Sequence, residues 1–315
     1  MSPGTKRTLS LSWLARLASS VLTLTSLLLV GVWLYTRRQE LAAIQWSAQW
    51  KVFLLLVGMY GLSLMLNFLV WHSCLRSIMA IAWSRDLQLY AYSNLSRRLP
   101  SGLGYFFVRA VRYRVEDLDP AIILYFSTQE LLLQVVTGML LAFLVSFSIV
   151  TINWVTCALA TLFLVPLVFV IRPSVLNVLL RKISRSRTPL PVRVSRRSVL
   201  GWLIAYALAW LNGGLMLYIL LSNMVDTSVI TLRQTVGLWS VTASLGLLGS
   251  LIPLGQFARD AALSLLLQSY MPLSIAAAAA IAFRFILTIG DVVWSLILWR
   301  VGLLTTRLTQ KEYCK

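Results

Sequence analysis

The chain has 315 residues, 59% of them hydrophobic and only 12% charged. Soluble domains carry about 25% charged residues, so a soluble enzyme or binding module is excluded and one polytopic membrane domain over 1–315 is expected. A net charge of +18 would suit nucleic acid, but 22 of the 28 Lys and Arg fall in four patches, at 1–16, 73–119, 172–198 and 300–315. That clustering is the positive-inside asymmetry of a membrane protein with both termini cytoplasmic, and it argues against nucleic acid.

Lys6, Arg7 and Arg16 precede the first apolar run, predicted to span over 17–36. No small-residue cleavage site follows it, so it reads as a retained signal anchor. The second span, 50–72, returns and ends near Trp71 and His72. Tryptophans at span ends fit an interface belt, and His72, the single histidine, is placed with them as an interfacial residue. Segment 87–114 is apolar enough to enter the bilayer but is broken at Leu99-Pro100-Ser101-Gly102-Leu103-Gly104. Proline removes a donor and clashes with the preceding turn, so a helix breaks there. The segment reads as a re-entrant hairpin, or alternatively as an interfacial amphipathic helix.

A long third span covers 120–148 and a fourth 154–171. A basic loop follows, from Arg181 to Arg197, and leads into a fifth span at 199–221. Within that span Asn212-Gly213-Gly214 reads as a packing notch or a kink. Segment 235–271, broken at Ile252-Pro253-Leu254-Gly255, reads as a second re-entrant hairpin. The last span, 274–302, opens on the small-residue run Ala276–Ala280, which allows close helix packing. Cys74, Cys157 and Cys314 lack metal-ligand spacing.

The expected fold is therefore all-α, with six spanning helices and two Pro/Gly-broken hairpins. The order of span, span, hairpin and span occurs twice with opposite starting side, giving inverted repeats at about 17–148 and 154–302. Pro100 and Pro253 are 153 residues apart. Such repeats mark many secondary transporters, whose sites lie near the midplane at discontinuous helices.

Glu130 and Arg284 stand about ten residues into apolar stretches, near mid-bilayer at about 1.5 Å per residue. An ionisable group there costs about 2.5–3.5 kcal/mol on insertion scales, so it marks a functional position by default. The two are expected to pair across the repeat axis, as a structural lock or around a ligand. Asp291 is a second candidate partner for Arg284. Arg97, Arg98 and Arg109 flank the first break, and Arg259 and Asp260 follow the second. Free N–H groups at half-helix N-termini, together with arginine forks, suit a phosphate. The alternative for Arg97, Arg98 and Arg112 is that they snorkel to anionic lipid. Nucleophile-elbow, phosphate-loop, His-Glu-x-x-His and dinucleotide motifs are absent, so neither an enzyme nor a cofactor is expected.

Leu99-Pro100-Ser101-Gly102-Leu103-Gly104 with Arg109-Ala110 resembles the first motif of the lysylphosphatidylglycerol synthase transmembrane, or flippase-like, domain family. Glu130 falls where that family often has Glu-Arg, with Leu131 replacing the arginine. Pro253, Gly255 and Asp260 fall on its second motif, Pro-Gly-Gly-x-Gly-x-x-Glu. Leu254 and Phe257 there replace glycines, and Asp260 replaces the glutamate. Phe283-Arg284 matches an aromatic-Arg pair in its final helix. The resemblance covers most of the chain. It implies a bacterial or archaeal inner-membrane protein related to lipid flippases, here without the cytoplasmic synthetase domain of fused members.

The resulting expectation is translocation of a phosphate-bearing lipid, either an anionic phospholipid or a polyprenyl phosphate. The head group would lie in a basic midplane cavity of Arg97, Arg98, Pro100, Gly102, Gly104, Arg109, Glu130, Pro253, Gly255, Arg259, Asp260, Arg284 and Asp291. The alternative is a non-transporting accessory subunit of an envelope glycosyltransferase or lipid-modifying system. An intramembrane lipid-modifying enzyme is a third reading.

Overall fold

The computed structural model describes residues 35–36, 50–96, 104–116, 118–146, 196–225, 230–249 and 255–313. Every regular element among them is helical: α1 (Trp50–Arg76), α2 (Trp83–Leu95), α3 (Gly104–Tyr113), α4 (Pro120–Ser146), α5 (Arg196–Ser222), α6 (Leu232–Gly249), α7 (Gly255–Leu267) and α8 (Leu273–Tyr313). A 3-10 turn, Arg114–Glu116, follows α3.

Local chemistry sets several of these boundaries. Pro120 occupies the first position of α4, where its missing N–H costs nothing. Asp119 caps the same end, its Oδ1 accepting the Ala121 N–H at 2.9 Å. Before α6, the Thr231 N–H donates to Gln234 Oε1 at 2.8 Å, and the Gln234 N–H points back at Thr231 Oγ1 at 3.4 Å. That is a capping box, which satisfies two orphan donors reciprocally. Both helices that follow a Pro/Gly break begin on its last glycine, Gly104 for α3 and Gly255 for α7.

Among the described residues, four stretches are long and apolar enough to cross a membrane: Trp50–Arg76, Pro120–Val145, Arg197–Ser222 and Leu273–Thr305. They match the spans expected at 50–72, 120–148, 199–221 and 274–302. The spans expected at 17–36 and 154–171 lie outside the described residues. Helices α2, α3 and α7, with 13, 10 and 13 residues, are too short to cross, since a spanning helix needs about 20.

The polarity of the surface fits a membrane protein. Leu54, Leu55 and Leu62 on α1, Leu200, Ile204 and Leu208 on α5, and Phe285 and Leu296 on α8 are exposed. Meanwhile Asp86, Asn94, Arg109, Glu130 and Asp291 are buried. Water would not tolerate so continuous an exposed apolar belt, whereas lipid favours it.

The helices pack in matched pairs. α1 lies on α5, α2 along α8, and α6 along α4. α3 rests on α4 and α7 on α8, while α1 also meets α8 and α5 meets α4. Exchanging α1–α4 for α5–α8 maps this set of neighbours onto itself. Tryptophans seat on glycines where these helices meet: Trp294 on Gly61, Trp210 on Gly138 and Trp239 on Gly213. Beside the last, a Cβ on Gly214 would come within 2.5 Å of the Val236 backbone. The Asn212-Gly213-Gly214 step is thus a packing notch, and α5 runs through it without interruption. Ala276, Ala278, Ala279 and Ala280 are buried, so the alanine run is a packing face as its composition predicts.

Candidate functional site

Arg109 sits on α3 five residues after Gly104 and is fully buried. Its Nη1 lies 2.5 Å from Glu130 Oε2 on α4 and 3.5 Å from Ser127 Oγ. Three rings surround the guanidinium carbon, with centroids at 3.7 Å for Trp71, 4.5 Å for Tyr105 and 5.1 Å for Tyr90. Ring faces attract a cation, so the box supplies in part what water would supply outside.

The second half repeats this arrangement with the signs exchanged. Asp260 sits on α7 five residues after Gly255. Its Oδ2 accepts from Arg284 Nη1 on α8 at 2.6 Å. Its Oδ1 accepts from Arg259 Nε and Nη2 at 2.9 and 2.8 Å. Arg259 in turn lies against Gly246 of α6, where a Cβ would come within 2.8 Å of its own Cβ. The short helix carries the cation in the first half and the anion in the second, and the long helix carries the complement.

This corrects the expected pairing of Glu130 with Arg284. Each is satisfied within its own half, because the short helix after each break delivers a counter-charge to the adjacent long helix. Asp291 is likewise not the partner of Arg284. It is buried between α1, α2 and α8, where Tyr60 OH donates to it and Asn94 Nδ2 donates at 3.0 Å. Asn94 Nδ2 also reaches Ser295 Oγ at 3.0 Å. Arg97, Arg98, Pro100, Gly102 and Pro253 lie outside the described residues, and Gly104 and Gly255 open the two short helices. Arg112 is exposed, with its guanidinium 3.8 Å above the Tyr92 ring.

Between the two ion-pair systems lies a cavity of about 190 Å³, to which every helix except α2 contributes. Its polar wall includes Asn67, Ser127, Glu130, Gln134 and Arg259. Its aromatic wall includes Tyr105, Tyr206, Trp210 and Trp239. Gln134 Nε2 donates to Asn67 Oδ1 at 3.1 Å, and Trp210 Nε1 donates to the Gln134 carbonyl at 3.1 Å. The Tyr206 hydroxyl is buried without a hydrogen-bond partner among the described residues. Of the expected site residues, Glu130 and Arg259 line the cavity directly. Arg109, Asp260 and Arg284 stand behind them through ion pairs, and Asp291 touches it through Tyr60.

A buried polar network at the α1, α2 and α3 junction is not expected from the sequence. His72 Nδ1 lies 2.6 Å from Asp86 Oδ2, and Asp86 also accepts from Tyr113 OH. Trp71 Nε1 donates to that hydroxyl at 2.8 Å while its ring covers Arg109. His72 and Trp71 are therefore interior residues and do not belong to an interface belt. Asp86 carried the available signal: the single acid of α2, whose neighbour Arg85 pairs with Glu116, needs a buried partner if its face packs. Among the described residues no group of three or more His, Cys, Asp or Glu is placed to hold a metal ion.

No protein-family model matches this chain, and no curated protein matches it.

Proposed function

We propose that the chain is a flippase-like translocator of lipids in a bacterial or archaeal plasma membrane, built on two inverted repeats. The observation that carries this reading is the cavity, to which both halves contribute a charged wall residue, Glu130 and Arg259. The self-mapping set of helix contacts supports the repeat. So does a single contact, Asn212 Nδ2 donating to the Met59 carbonyl at 2.7 Å across 153 residues. An interval equal to that between the two breaks is what two equivalent positions show where a pseudo-twofold axis passes between them.

In this reading α2–α3 and α6–α7 are the limbs of re-entrant hairpins, and the pairs Arg109–Glu130 and Asp260–Arg284 hold them to the long helices. Backbone broken at membrane depth is tolerated where it is enclosed by protein or lines a cavity. Arg259 and Arg284 share the Asp260 carboxylate, and arginine forks suit a lipid phosphate.

The test is a proteoliposome assay with fluorescent anionic phospholipid and polyprenyl-phosphate analogues. Movement above that of protein-free liposomes is expected, falling about tenfold or more in Arg284→Ala, as suits a lost charge-assisted contact. Equal movement for wild type and variant across the panel would remove the proposal. Absence of movement together with co-purification of an envelope glycosyltransferase would support the accessory role instead.

A further inference from the structure

Asp291 belongs to neither ion-pair system, and the polar atoms around it form a small group of their own. It lies just past the middle of the apolar stretch Leu273–Thr305, a depth at which an acid marks a functional position. Tyr60 OH and Asn94 Nδ2 donate to its Oδ1, and Asn94 Nδ2 also meets Ser295 Oγ. Tyr60 reaches the carboxylate because its ring lies on Gly290, where a Cβ would come within 2.5 Å of it. Asn94, Asp291 and Ser295 are each 0% exposed. One atom of the group, Asn94 Oδ1, is buried with no hydrogen-bond partner among the described residues. A buried carbonyl oxygen in that state has lost its hydrogen bonds to water and calls for a ligand to meet it.

We infer that Asp291, Asn94, Ser295 and Tyr60 form a binding site for a small monovalent cation, sodium. All four side chains offer oxygen, the ligand that hard cations take. Calcium and magnesium keep waters or add further carboxylates, whereas this enclosed group brings one carboxylate, which balances a single positive charge. The Asn94 amide can serve with and without the ion. Its Nδ2 faces Asp291 and Ser295, and a half-turn about Cβ–Cγ puts Oδ1 in that place. The Ser295 and Tyr60 hydroxyls keep lone pairs for a cation. Asn94 also stands in the last turn of α2, so the negative end of that helix adds to the attraction. The amide nitrogen is 3.0 Å from both Asp291 Oδ1 and Ser295 Oγ, a compact spacing that suits sodium better than the larger potassium.

In the two-repeat reading, the counterparts of Tyr60, Asn94, Asp291 and Ser295 at an interval of 153 residues are Gly213, Leu247, Gly138 and Ala142. There Trp239 packs on Gly213 and Trp210 on Gly138. Packing at that place is thus met without an acid or an amide, so the polar group of the other copy serves something besides packing. Tyr60 also lines the cavity, which sets the ion one side chain away from it.

The full chain, purified in detergent, would be melted while sodium chloride replaces choline chloride at constant ionic strength, with unfolding followed by tryptophan fluorescence. The melting temperature is expected to rise with sodium by mass action, and to rise less with potassium. Asp291→Asn keeps the shape of the side chain and is expected to abolish the rise. Ser295→Ala, a milder change should the first variant fail to fold, is expected to need about two- to tenfold more sodium for the same rise. No difference between sodium and choline would overturn the inference, as would an undiminished rise in folded Asp291→Asn or Ser295→Ala. An equal rise in potassium would overturn the assignment to sodium. Melting that follows pH alone, equally in sodium and choline, and loses that dependence in Asp291→Asn would mark a proton carrier and overturn the cation site. Sodium binding stands or falls apart from lipid movement, since the melting readout involves no transported lipid.

Discussion

The two ion-pair systems occupy matching places and differ in how they are enclosed. In the first half Arg109 is sealed at 0% exposure, under three rings, with Glu130 at 8%. In the second, Asp260 is 13% exposed, Arg284 is 29%, and a second arginine shares the carboxylate. The same architectural position thus serves as a sealed pair on one side and as a more accessible cluster of two arginines on one carboxylate on the other. In the proposed translocation, a lipid phosphate would exchange with a contact in the second more readily than in the first.

The sharpest way to break this comparison is to remove the sealed carboxylate. Glu130→Leu leaves Arg109 buried and uncompensated, and a loss of about 3–5 kcal/mol is expected, read as failure to retain a folded peak in detergent or as a large drop in melting temperature. Retention of wild-type stability would show that the Arg109 box is wetter than its burial implies. Asp260→Asn is expected to cost less, about 1–3 kcal/mol, because its arginines keep some access to solvent or head groups. A loss equal to that of Glu130→Leu would erase the distinction between the halves. Arg284→Ala leaves Asp260 paired with Arg259, and a stability change of about 1 kcal/mol or less is expected, with the effect appearing in lipid movement instead. Tyr206→Phe is the smallest: a melting temperature indistinguishable from wild type is expected, because the hydroxyl it removes has no hydrogen-bond partner among the described residues.

The apolar runs of α1, α4, α5 and α8 were legible because about 20 consecutive hydrophobic residues leave few alternatives in a helix. Pro100 and Pro253 marked the breaks, and α3 and α7 begin a few residues beyond them. The span expected from residue 120 begins there as α4, at Pro120. Partners were not legible. Glu130 had both Arg109 and Arg284 as plausible counter-charges, and depth in the bilayer suited either. The choice depends on which helix folds back against α4, which is a matter of tertiary packing. Asp86 and His72 escaped for the same reason, since their contact needs α2 to turn back upon α1.

The tryptophans seated on glycine carry a mechanical implication. Trp294 on Gly61, Trp210 on Gly138 and Trp239 on Gly213 join α8 to α1, α5 to α4 and α6 to α5. A ring lodged where no side chain fits behaves as a rivet, since sliding either helix would drive it into backbone. These joints fasten α1 to α8 and α4, α5 and α6 to one another, and the packing of α1 on α5 joins the two sets into one frame. The short α3 and α7 are held to that frame both by buried apolar side chains, Phe106 and Tyr113 on α3 and Leu263 and Leu267 on α7, and by polar clasps, Arg109 to Glu130 and Asp260 to Arg284. Moving either short helix away from the frame therefore breaks a clasp and uncovers apolar surface at once, and in the lipid-translocation reading that sum sets the energetic cost of access.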